Sequence, residues 1–149
     1  AGVLMATVAT ARWRTLVRSF LINFHQSVAP IILVLGGIFL LAGLGLIFVT
    51  RRGEESLAQV GWLRSTFRVF MWLTAAGGVL QAILGALLLS QGLHPKEGLH
   101  FVYGLIVLAA VPVAFVYSDQ KKVRADIIIM TIAAAAIVGA AVRAMMTGV

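Results

Sequence analysis

VAPIILVLGGIFLLAGLGLIFVT, residues 28–50, decides the fold: it runs for 23 residues without a charge. At about 1.5 Å per residue, a helix of that length covers about 34 Å, enough to cross the roughly 30 Å hydrocarbon of a bilayer. Three further runs repeat the pattern. Residues 69–91 carry Gln81 as their one strongly polar interior side chain, 99–117 contain Pro112, and 127–146 hold Arg143 in the last turn. None alternates with a two-residue period, and all are too long for barrel strands. The expected fold is all-α, a four-helix transmembrane bundle. A chain of 149 residues leaves no room for a second domain beside it.

Composition agrees. Hydrophobic residues make up 61% of the chain and charged residues 11%, less than half the roughly 25% usual for soluble domains. A water-soluble fold of this size keeps too much surface exposed to hide so much apolar area. Twelve Lys and Arg against five Asp and Glu give a net charge of +7. The basic residues flank the apolar runs, where they meet anionic headgroups and set orientation, so nucleic acid is not an expected partner. Cysteine is absent, which excludes disulfides, thiolate catalysis, cysteine-bound zinc and iron–sulfur clusters.

Residues 1–27 form a separate unit ahead of the membrane domain, 28–149. Trp13, Leu16, Val17, Phe20, Leu21 and Phe24 recur at three- and four-residue steps, with Arg12, Arg18, Ser19 and Asn23 elsewhere. The pattern predicts an amphipathic helix, lying in the headgroup plane or against a partner subunit, before the chain turns at Pro30. In the 51–68 connection, Leu57, Val60, Trp62, Leu63 and Phe67 suggest a short interfacial helix. The other connections, 92–98 and 118–126, are tight and make the bundle up-and-down. One end then carries Arg51, Arg52, Arg64, Arg68, Lys121, Lys122 and Arg124, and the other Arg12, Arg14, Arg18, Lys96 and Arg143. The more basic end belongs inside, which puts both termini on the outer side of a bacterial cytoplasmic membrane. Three arginines in the N-terminal tail argue the other way.

Between helices in lipid, small residues permit close approach. Gly78, Ala82 and Ala86, with Ala75 and Gly85 alongside, form such a strip on span two; Ala136, Ala140 and Ala144 form one on span four. Gly36 and Gly43 share a face of span one, while Phe39, Phe48, Phe70, Trp72 and Val138 are expected to face lipid or a partner.

Up-and-down topology brings His25, His94, His100, Tyr103 and Arg143 to one membrane face. Two imidazoles from different helices can hold haem b, and His100 followed by Gly104 leaves room for a macrocycle edge. Histidine, tyrosine and arginine can instead bind a quinone carbonyl or a lipid phosphate. In the plainest alternative, water and headgroups satisfy all five. Three histidines on separate elements, with Glu97 the one nearby carboxylate, make a poor metal set, and none is expected. Gln81 is expected to bond a neighbouring helix. No Asp or Glu falls within the four runs, which argues against transport, and no nucleophile–base pair or phosphate loop points to catalysis.

LHFVYG (99–104), AVPVAFVYS (110–118) and VRAMMTG (142–148) resemble segments of small bacterial four-helix membrane proteins. Over this last third, the chain also looks like an accessory membrane subunit of bioenergetic assemblies such as the quinol-oxidising alternative complex III of phototrophic bacteria. That resemblance implies a non-catalytic subunit of a respiratory or photosynthetic electron-transfer complex, with lipid and larger membrane subunits as partners and cofactors carried elsewhere. It transfers no site residue. The alternative is a small b-type cytochrome or quinone-binding protein using the histidine face.

Overall fold

The computed structural model describes residues 2–52, 61–118 and 122–148. They form α1 (Gly2–Val49), a 3-10 turn (Thr50–Arg52), α2 (Gly61–Ser90), α3 (Leu99–Tyr117) and α4 (Val123–Thr147), with no strand among them. All four helices are long and apolar enough to cross a membrane.

α1 departs from expectation. The chain does not turn at Pro30, which lies inside one continuous helix of 48 residues, about 72 Å long. Proline deletes one backbone hydrogen bond and presses on the carbonyl four residues earlier. Contacts with α2 splint the weakened turn: Gln81 Nε2 donates to the His25 carbonyl at 2.9 Å, and Ile32 is 2% exposed. The amphipathic pattern survives on the same rod, with Trp13, Leu16, Phe20 and Phe24 exposed and Val17 and Leu21 half-buried. At its far end the Thr50 hydroxyl donates to the Leu46 carbonyl at 2.8 Å, satisfying one of the acceptors that a helix terminus leaves open.

α2 starts at Gly61, two turns before residue 69, so Trp62, Leu63 and Phe67 belong to it rather than to a separate interfacial helix. Leu57 and Val60 lie outside the described residues. α2 ends at Ser90 and is followed by Gly92, whose φ of +76° is one that residues with a Cβ rarely adopt. The Leu93 amide returns to the Leu88 carbonyl and the Gly92 amide to the Leu89 carbonyl, which closes the turn.

The helices form a ring, each packed on its two chain neighbours and α4 closing back on α1. Successive helices are antiparallel: Gly36 meets Ile137 and Gly43 meets Thr131 across α1–α4, and Gly77 meets Ile32 across α1–α2. Met71, Val111, Met130, Ala134 and Ile137 fill the centre. Three face assignments are corrected. Ala82 and Ala86 are exposed, because the inward face of α2 runs through Met71, Thr74, Ala75 and Gly78 instead. Phe39 is buried against Phe67 and Phe70, their ring centres 5.9 and 5.7 Å away. Val138 is half-buried, its methyl 3.2 Å from where a Cβ on Gly36 would lie. Tertiary packing decides these, since a helix rich in small residues offers several nearly equivalent faces.

Candidate functional site

Polar side chains gather in two layers, one at each end of the four-helix overlap. The first is centred on Asp126. It belongs to the first turn of α4 rather than to a connection, and is 1% exposed. A carboxylate there is favoured by the partial positive charge of the helix N-terminus. Arg64 Nε reaches one oxygen at 2.6 Å and Arg68 NH1 the other at 2.5 Å. The Ser118 hydroxyl also donates to Asp126, while accepting from Arg68 NH1 at 2.8 Å. The Arg68 guanidinium lies 4.4 Å from the Phe115 ring centre, a cation–π contact. α2 and α4 face each other diagonally, and this network ties them together. Sequence reasoning missed it, although a signal existed. Arg64 and Arg68 are four residues apart, hence on one helix face, and an acid abutting the apolar run from Ile127 needs a cationic partner if buried.

The second layer holds His25 and His100. They project from α1 and α3, the other diagonal pair, and their ring centres lie 6.2 Å apart with planes inclined by 55°. His100 Nδ1 is 3.0 Å from the Ala144 carbonyl. A carbonyl can only accept, so Nδ1 carries the proton; in the neutral tautomer the lone pair is then on Nε2. His25 is half-buried, and its Nδ1 has no partner. Gln81 donates to the His25 carbonyl through Nε2, but its Oε1 is likewise buried and unpaired. Glycines flank both imidazoles: a Cβ at Gly85 would sit 3.7 Å from His25 Cε1, and one at Gly148 3.4 Å from His100 Cε1. Open space surrounds Gly104, one turn after His100.

Of the five side chains grouped by sequence, the structure joins them only in part. His25 and His100 meet. Tyr103 and Arg143 form their own pair, Arg143 Nε donating to the phenol oxygen at 3.4 Å with the guanidinium 5.7 Å from the ring centre. His94 is exposed in the α2–α3 connection and makes no ring contact with either imidazole among the described residues. No cluster of three or more His, Cys, Asp or Glu suited to a metal ion occurs among the described residues. Gln81 does bond a neighbouring helix, with half of its amide left over.

No family model matches the chain, and no curated protein or solved structure matches it either. The fold and these two layers therefore carry the functional reading: a four-helix chain of membrane-spanning length with a two-imidazole centre near one end.

Proposed function

We infer that this chain is an integral multi-pass membrane protein in which His25 and His100 would hold a b-type haem. It would thus be a small electron-carrying subunit docked within a larger membrane assembly. One observation carries the reading. The imidazoles of His25 and His100 come from two different helices and their ring centres lie 6.2 Å apart, so the two side chains could together hold one haem. The donors suit the group. A ligating histidine characteristically gives its other N–H to a carbonyl, as His100 does to Ala144. Arg143 and Tyr103 supply a cation and a hydroxyl at the same end for acidic substituents. A bound haem would supply one-electron exchange; the chain's residues hold it, orient it and set its surroundings.

The membrane part of the reading rests on spacing. Asp126 and Ala144 are 18 residues apart on α4, about 27 Å, close to the thickness of bilayer hydrocarbon. The long runs between the two polar layers turn apolar side chains outward, including Leu41, Val79, Leu105 and Ile132. Residues 12–24 of α1 then lie beyond the hydrocarbon, in the headgroups or on a partner. The basic end faces the cytoplasm and the termini lie outside. Tags inserted in the 53–60 connection and after residue 148 are expected on opposite sides of the membrane; the same side for both would remove the four-span topology.

A second reading has its own support. Trp13 and Phe20 are 68% and 64% exposed on a segment outside the expected span, as suits an accessory subunit that docks on larger partners and lipid without a cofactor. Haem titration separates the two. The purified protein should take up haem with a six-coordinate, low-spin spectrum that either His25→Ala or His100→Ala abolishes and His94→Ala leaves intact. A chain that ignores haem but retains quinone, chiefly through His100 and Tyr103, would be a quinone site. One that binds neither and copurifies with larger subunits would be the accessory protein.

A further inference from the structure

The two imidazoles are anchored unequally. His100 has its Nδ1 on a backbone carbonyl, so in its neutral form the lone pair is on Nε2. His25 Nδ1 is enclosed by protein and has no partner, and the same is true of Gln81 Oε1. These are the two buried side-chain polar atoms left unsatisfied among the described residues. Buried polar groups of this kind are almost always paired, often through an ordered water.

The fold makes the two residues neighbours. Gln81 is docked on the turn that carries His25, through its Nε2 bond to the His25 carbonyl. The His25 ring lies over the same face of α2, its Cε1 3.7 Å from where a Cβ on Gly85, one turn beyond Gln81, would stand. Pro30 makes this docking matter, because it weakens the α1 turn that must hold the imidazole still. An amide oxygen accepts and never donates, so it can be satisfied only by a proton that His25 or a water supplies.

We propose that Gln81 is the positioning residue for His25: its amide oxygen takes the Nδ1 proton of His25 through one bridging water, so that both imidazoles turn Nε2 lone pairs to the gap between them. Gln81 thereby does for His25 what the Ala144 carbonyl does for His100. Its effect on a bound metal centre rests on the haem reading, but the tautomer of His25 does not. A better-anchored Nδ1–H makes Nε2 a stronger donor.

Histidine-15N-labelled protein without added haem, at about pH 8 where imidazole is neutral, tests the tautomer directly. Signals are assigned by their loss in His25→Ala and His100→Ala. Wild type and Gln81→Glu, which keeps an acceptor oxygen, should both show His25 protonated on Nδ1. Gln81→Leu should move that proton to Nε2 or mix the tautomers, with His100 unchanged. A His25 protonated on Nε2 in wild type overturns the proposal even if Gln81→Leu does not fold, and so does a folded Gln81→Leu with an unaltered signal. With haem added, Gln81→Glu should make the midpoint potential more negative. Protein that keeps the His25 tautomer yet takes up no haem would sink the haem reading and leave Gln81 in its role; haem uptake with the His25 tautomer indifferent to residue 81 would do the reverse.

Discussion

At the end where α2 begins, a single carboxylate is shared by two arginines and a serine, and every partner is engaged. At the opposite end, two imidazoles and an amide meet with polar atoms left over. Each layer bridges a diagonal of the ring, α2–α4 in the first case and α1–α3 in the second. On the proposed reading, the difference separates a brace from a site. A buried charge must be fully compensated to exist at all, so the Asp126 layer is closed. An uncharged layer can instead leave its polar atoms to an ordered water.

The largest effect should come from breaking the closed layer. Asp126→Ala leaves two guanidinium groups mostly buried without their counter-charge, which typically costs about 3–5 kcal/mol. Thermal unfolding in detergent should show that loss, with the proposed haem uptake retained. His25→Ala or His100→Ala should do the opposite, costing about 1 kcal/mol or less while abolishing binding. Equal destabilisation at both ends would mean that the histidine layer is a second brace.

Packing between the layers gives the next effect. A Cβ at Gly43 would run into the Thr131 side chain, whereas one at Gly45 meets nothing within 4 Å. Gly43→Ala is therefore expected to cost about 1–3 kcal/mol through overpacking, and Gly45→Ala nothing, in the same melting experiment. Ala140→Leu, on the buried face of α4, belongs with Gly43. The smallest change is expected at Ala82→Leu, which points outward and should shift stability by no more than about 0.5 kcal/mol. A large loss there would mean that the outer face of α2 is covered in the native assembly.

The helices and their order were legible in residues 28–50, 69–91, 99–117 and 127–146, because apolar length is a local property that needs no partner to be read. The meeting of His25 with His100 was foreshadowed by topology, since alternating helices return every second terminus to one end. His94 was grouped with them on the same reasoning, and the structure leaves it apart. Being at one end is not being in contact, and the cap at Gly92 sends the connection to solvent. Pro30 misled for a related reason. Proline weakens a helix wherever it occurs, but whether the helix bends depends on what grips it from outside, and here α2 grips it.

By itself the sequence determined four helices of membrane-crossing length, their antiparallel succession and the side-chain types available at each end, all of which follow from composition and periodicity along one chain. Only the tertiary structure decided that Asp126 is the hub of an ion-pair brace, that Phe39 is core while Ala82 is surface, and that two imidazoles stand 6.2 Å apart beside a half-satisfied glutamine. The physical reason is rotation. A helix with apolar or small residues on every side can turn about its axis at little local cost, and only the mutual fit of four such helices selects which side chains meet.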